Sequence, residues 1–357
     1  MQFGILGLPK AGKTTLFNTL TASREETGKF AASDRTHMAM AKVPDDRLAR
    51  LRDLFNPKRY VPATVEYVDI PGIAKGEAAE SLDLAKLKTV DALMHVVRAF
   101  DDPEIEHPDG SVDARRDIAT LDLELILADH SLVERRIDRL DKAIKRGLSP
   151  QEEREKKLLV ETILPALEAE TPLRRLGLSG DDERMLRGFQ LLSAKPMLVV
   201  VNVGEGDVAS AKPEDFGLGG GDDTVHGVVV SAPIELEISR LTAEEQREFL
   251  ADLGLAEPSL DRVIRASYGL LGVISFFTVG EDEVRAWTIR RGTVAKEAAG
   301  TIHSDIERGF IRAEVVRWDD LLAHRTLAAC RDKALLRLEG KEYLVHDGDV
   351  VHFRFNV

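Results

Sequence analysis

The chain has 357 residues, enough for two or three domains each with its own core. Its 49 basic and 62 acidic side chains give a net charge of −13, which excludes a protein whose whole surface wraps nucleic acid or rests on anionic lipid. The single cysteine, Cys330, excludes an intramolecular disulfide and a cysteine-based zinc cluster, and suits a small buried side chain in a reducing compartment. No run approaches the roughly 18 apolar residues of a membrane span, and MQFGILGLPKAGK lacks a basic leader before a long apolar stretch. A soluble cytoplasmic protein is expected.

Phe3 to Leu6 form a short apolar run, and Thr14 to Thr21 carry Leu16, Phe17 and Leu20 at helical spacing. Between them Gly7-Leu8-Pro9-Lys10-Ala11-Gly12-Lys13-Thr14 fits G-x4-G-K-[ST] in its required setting, strand before and helix after. Backbone N–H groups of such a loop, with Thr15 and the positive end of the helix, cradle phosphates; Lys13 reaches the β and γ oxygens and Thr14 a magnesium ion. Asp69-Ile70-Pro71-Gly72 fits D-x-x-G, in which Asp69 holds magnesium through water and the Gly72 N–H meets a γ-phosphate. Ile73 then stands where a Ras-type enzyme carries a water-orienting glutamine.

Further along, Val65–Ile70, Ala92–Val97, Met197–Asn202 and Gly227–Ala232 are short, continuous and β-branched, as strands buried on both faces of a parallel sheet are. Residues 120–193 are dominated by Leu, Glu, Arg and Lys. Ile126, Val133, Ile137, Leu140 and Ile144 make one helical stripe, Gly147 and Pro150 mark a turn, and a second charged helix resumes at Gln151. This predicts an antiparallel helical arm inserted into an α/β domain made of 1–119 and 194–270. After Leu271, EVRAWTI, GFIRAEVVRW, KALLRLEG, KEYLV and VVHFRFNV read as short strands with one helix around Thr293 to Glu307, a small α+β domain over 271–357.

The base site is read from VVVNVGE. Where a guanine-specific protein has N-K-x-D, whose aspartate accepts two guanine N–H groups, this chain has Asn202-Val203-Gly204-Glu205. The lysine is a valine and the carboxylate sits one methylene further out, while Ser231-Ala232 offer backbone groups to the ring. ATP is therefore expected to bind at least as well as GTP.

GLPKAGKTTLFNTL, DIPGIAKG, HVVRAF, GSVDARRDI, LELILAD, NVGE, EVRAWTI, AAGTIHSDIERGFIRAEV and DGDVVHFRFNV together resemble the YchF family of Obg-like ATPases from first strand to last. The resemblance implies a Ras-like P-loop domain, a coiled-coil insertion and a C-terminal TGS domain of the β-grasp type. It also implies magnesium-dependent ATP hydrolysis and association with the ribosome, its RNA and proteins, in translation or stress, by a monomer that needs no membrane and no specific DNA sequence. Asn202 and Glu205 fall on the family's adenine-accepting positions, and Ile73 on its hydrophobic replacement of the catalytic glutamine. His107 in EIEHPDG falls on a histidine proposed to help hydrolysis, by placing or deprotonating water; an exposed loop histidine without a catalytic task is the alternative.

Three departures stand out. Lys10 replaces an asparagine associated with a bound potassium ion, so its ammonium is expected to supply that charge and make hydrolysis indifferent to potassium. The segment after DxxG is about four residues shorter than usual, and FAASDRTHMAMAKVPDDRL has no clear switch threonine, with Ser33 and Thr36 as replacements. Competing readings are an Obg-type GTPase, a non-hydrolysing nucleotide-gated ribosome-binding module, and, with no acceptor pocket legible, a small-molecule kinase. Arg135, Arg139, Lys142, Lys145 and Arg146 of the arm and Arg308 and Arg312 near the last sheet are candidate RNA-phosphate contacts, against a reading as ordinary surface charge.

Overall fold

The computed structural model describes residues 1–22, 38–70, 84–143, 147, 149–219 and 225–356. The chain forms two compact units, Met1–Ala41 with Glu66–Ala266, and Lys42–Val65 with Ser267–Val357. Strand β1 (Gln2–Leu6) is followed by helix α1 (Lys13–Ala22), β2 (Met38–Lys42) and α2 (Asp46–Phe55). Asp45 starts α2 by accepting the Arg47 N–H, and left-handed Asn56 stops it. Then come β3 (Arg59–Val61), β4 (Thr64–Asp69), α3 (Leu84–Thr89) and β5 (Ala92–Ala99).

The arm rises on α4 (Ala114–Ala143) and returns through α5 (Pro150–Leu158), a π-helical turn at Leu159–Ile163, α6 (Leu164–Glu168) and α7 (Gly180–Leu186). Ser149 and Glu152 close a capping box at the start of α5. Ile126, Val133 and Leu140 of the predicted stripe pack on Leu159, Ile163 and Leu167, with Ile137 at the margin, so the arm has its own core; Ile144 lies outside the described residues. The stripe is right, but α4 begins six residues before the expected 120. Ala114, Leu121 and Leu125 belong to the core beneath the sheet, which extends the helix into the α/β body. Asp129 anchors the return, its carboxylate accepting the N–H groups of Leu192 (2.8 Å) and Ser193 (2.7 Å).

The chain then runs through β6 (Met197–Val203), β7 (Val225–Val230), α8 (Ala232–Ile238), α9 (Ala243–Asp252) and α10 (Ser259–Leu270). The first sheet has the order β2-β4-β1-β5-β6-β7, and β4 through β7 are paired in parallel. All seven residues of β6 are buried, as a central strand covered on both faces requires.

The second unit contains β8 (Val273–Thr278), β9 (Glu283–Arg290), α11 (Ala295–Ile302), α12 (Ser304–Arg308), β10 (Phe310–Arg317), α13 (Trp318–His324), α14 (Leu327–Asp332), β11 (Arg337–Glu339) and β12 (Asp349–Phe355). Its sheet runs β11-β10-β12-β8-β9-β3. Three expectations need correction here. The helix around 293–307 is two helices, because His303 is extended and its ring nitrogen caps α12 by accepting the Asp305 N–H. KALLRLEG is extended only over Arg337–Glu339, after left-handed Ala334. KEYLV is a turn with one bridge, Leu344 to Val294; the Tyr343 N–H donates to the Gly340 carbonyl and its hydroxyl to Asp349. Cys330 is fully buried, as expected.

The expected C-terminal domain, 271–357, lies within this unit, which also takes in 42–65. There β3 pairs in parallel with β9, Arg59 opposite Glu283, and Arg47 donates to Asp347 at 2.8 Å while stacking 5.4 Å above the Phe277 ring.

Candidate nucleotide-binding site

The turn between β1 and α1 needs glycine at two points. Gly7 (φ 148°) and Gly12 (φ 97°) have backbones that side chains resist, and a Cβ would strike the Val96 carbonyl oxygen at the first and Asn202 Nδ2 at the second. Lys10 holds a left-handed φ of 64° without being glycine, at a cost of about 1 kcal/mol. Lys13 Nζ donates to the carbonyls of Gly7 (2.9 Å) and Leu8 (2.8 Å). An ammonium has three hydrogens, so this grip leaves a donor for a phosphate oxygen. Burial lowers the Lys13 pKa and the Asp69 carboxylate raises it again. Thr14 is exposed on the first turn of α1, and Asp69 ends β4 in register with Ile5 of β1. The two oxygens are hard donors of the kind magnesium takes.

At the other side of the site Asn202, 2 % exposed, uses both ends of its amide. Nδ2 donates to the Ala11 carbonyl (3.1 Å) and Oδ1 accepts the Ala232 N–H (3.0 Å). One side chain thus staples the phosphate loop to the loop after β7. Val203 is buried, Glu205 is exposed, and the Ser231 hydroxyl is buried with no hydrogen-bond partner among the described residues. An orphaned hydroxyl in a cavity wall fits a ligand that brings the missing partner.

The phosphate loop and the base-side residues line one cavity of about 610 Å³, within the range of small-molecule sites, and Asp69 is outside its lining. Its walls are Lys10 and Gly12–Thr15, then Asn202–Glu205 with Ser231–Pro233, and a third wall absent from the sequence reading: Phe100, Asp101, Asp102, Glu104 and Ile105. Both lysines belong to the phosphate loop, and the carboxylates of Asp101, Asp102, Glu104 and Glu205 belong to the other walls. That polarity draws a polyphosphate to the loop and leaves the rest of the cavity to an uncharged base. Gly7, Leu8, Pro9 and Ala11 shape the loop without lining the cavity; Leu8 and Ala11 are buried. Gly72, Ile73, Ser33 and Thr36 lie outside the described residues.

His107 is not brought into the cavity. It is 6 % exposed, which corrects the picture of an exposed loop histidine. Its Nδ1 accepts the Asp109 N–H at 3.1 Å, so Nε2 carries the hydrogen and donates to Asp117 at 2.9 Å. Both ring nitrogens are therefore engaged, Nδ1 within the loop and Nε2 in pinning it to α4.

A glycine-rich loop between the first strand and first helix of a parallel sheet, with a lysine gripped by its own carbonyls, defines a P-loop NTPase. Family models agree: residues 2–162 match "50S ribosome-binding GTPase", and 273–356 match YchF-GTPase_C, "Protein of unknown function". The chain belongs to the YchF family. It is 44% identical over 369 residues to "Ribosome-binding ATPase YchF" of Bacillus subtilis (strain 168), covering 99% of each chain. It is 38% identical to "Obg-like ATPase 1" of Oryza sativa subsp. japonica, covering 100% of this chain and 92% of the relative. The solved "Structure of the Schizosaccharomyces pombe YchF GTPase" superposes with a TM-score of 0.88 at 32% identity, over 99% of this chain and 97% of that one.

Proposed function

We propose that this chain is a magnesium-dependent ATPase whose nucleotide state sets its grip on the ribosome. The observation that carries the base preference is Asn202: its amide is committed to Ala11 and Ala232, and the next residue is a buried valine where guanine readers keep a lysine. The acceptor left for the base is Glu205, on an exposed stretch and one methylene longer than the aspartate that grips guanine.

Lys13 holds the β and γ phosphates and Gly72 the γ-phosphate. Thr14 and Asp69 would hold magnesium, which when bound offsets charge on the phosphate oxygens. Lys10 stands in the same loop with its own positive charge, in the role the family gives to potassium. With Ile73 in place of a glutamine and both His107 nitrogens engaged, the intrinsic rate is low and a partner completes the site. That engagement also favours a second reading, a nucleotide-gated ribosome-binding module that does not hydrolyse.

The names printed for the relatives support the ribosome as partner. Arg135, Arg139 and Lys142 on the arm and Arg312 of the second sheet are cations offered to its RNA, in the cytoplasm, by a monomer; Arg308 is paired with Asp305, and Lys145 and Arg146 lie outside the described residues. Among the described residues no helix is long and apolar enough to cross a membrane. The test is ribosome co-sedimentation with ATP, GTP and ADP, coupled to phosphate release in potassium and in sodium buffer. ATP-dependent binding, slow release and equal rates in both salts are expected. A GTP preference above about tenfold, some 1.4 kcal/mol, overturns the base assignment.

A further inference from the structure

Arg98 and Asn202 are register partners on the neighbouring strands β5 and β6. Asn202 ties the phosphate loop to the Ala232 backbone, and Arg98 ties down the third wall of the cavity. Arg98 is 3 % exposed, and its guanidinium donates to the carbonyls of Phe100 (Nε, 3.1 Å), Ile105 (Nη1, 2.9 Å) and Asp102 (Nη2, 3.4 Å). The same group lies 4.6 Å from the centroid of the Phe100 ring. Residues 100–105 contain no helix or strand, so this wall depends on side-chain ties. The other tie is local: Asp102 Oδ1 accepts the Glu104 N–H at 2.9 Å, and its carbonyl accepts the Ile105 N–H at 3.1 Å.

We infer that Arg98 is a positioning residue for the nucleoside half of the ligand: by holding Phe100, Asp102 and Ile105 as one wall, it sets affinity for base and ribose while the phosphate loop holds the triphosphate. A planar guanidinium with five N–H donors spans three carbonyls and stacks on a ring at once; a lysine ammonium on its flexible stem does not. Loosening the wall costs the ligand part of its preorganised surface, since the segment must then be ordered on binding. The inference rests on the nucleotide reading above.

The test compares magnesium-ATP with inorganic tripolyphosphate, each competing against a fluorescent ATP analogue, on the full chain and on Arg98→Lys. ATP affinity is expected to fall at least tenfold and tripolyphosphate affinity by less than twofold, a split that a general loss of structure does not produce. Equal losses for both ligands, or an unchanged ATP affinity, overturn the inference. Should Arg98→Lys fail to fold, Asp102→Ala decides, because it frees the Glu104 N–H and leaves the buried arginine in place. An ATP-selective loss of about threefold supports the role of the wall, and an unselective or absent loss refutes it. A wild-type chain that binds ATP while Arg98→Lys binds it equally well sinks the Arg98 role alone, whereas a wild-type chain that binds neither the analogue nor ATP sinks the nucleotide reading itself.

Discussion

His95 lies on β5 beside Gly7, 1 % exposed, with neither ring nitrogen hydrogen-bonded among the described residues. Burial, and then the charges of Lys13 and Arg174, push its pKa down from 6.5 to about 3, so it is neutral in the folded protein. The unfolded chain takes up this proton below pH 6.5 and the folded chain does not, so stability falls as pH drops from 6.5 towards 3. In His95→Leu the unfolding free energy should lose about 1.4 kcal/mol less per pH unit between pH 6 and 4. Urea titrations at several pH values would read it, and parallel pH slopes for the two proteins would contradict the assignment. The residues of the phosphate loop were legible in the sequence because their chemistry is local: one turn, fixed spacing, flanking strand and helix. Arg98 was not. An arginine at a strand end followed by an acidic, proline-containing stretch reads as a surface turn, and only the fold shows the guanidinium buried under it.

Among the elements, α8 and α10 are joined by a single buried carboxylate. Glu235 follows the Ser231–Ala232 turn by three residues, and its oxygens accept the N–H groups of Ser259 (2.7 Å) and Leu260 (3.2 Å) at the start of α10. Desolvation raises its pKa and those N–H bonds lower it. Glu235→Ala leaves buried donors unpaired and should cost about 1–3 kcal/mol in chemical denaturation. A loss under 0.5 kcal/mol would mean that water replaces the cap. Capping by a side chain 24 residues away leaves no local signature, whereas the Ser149 to Glu152 box at α5 is written in four consecutive residues. The same contrast separates the arm, visible as a seven-four-three-four stripe, from KEYLV, whose alternation promised a strand but whose tyrosine is held by Asp349.

At the level of the whole molecule the chain passes between its two units three times, after Ala41, Val65 and Ala266. The excursion 42–65 finds its partners in the second unit: β3 on β9, Lys58 with Asp282 at 2.8 Å, and Arg47 with Asp347. None of this was readable from 42–65 alone, where the partner strand lies more than 200 residues away and pairing leaves no periodic trace. Removing 267–357 should therefore not yield an independent NTPase domain. The 1–266 fragment is expected to melt well below the full chain, with a broadened transition in calorimetry. A fragment melting within a few degrees of the intact protein, with equal cooperativity, would show that 42–65 needs no partner.

The pairing of Arg47 with Asp347 joins residues 300 positions apart. During synthesis at about 5–20 residues per second, the earlier segment waits roughly 15–60 s for its counterpart to be made. A nascent chain in that interval holds an exposed edge strand, and its Arg47 has Asp45 but not yet Asp347 as a partner. Chaperone demand should accordingly peak late in elongation, and stalling shortly before Asp347 should leave a protease-sensitive species that a few more codons convert to a resistant one.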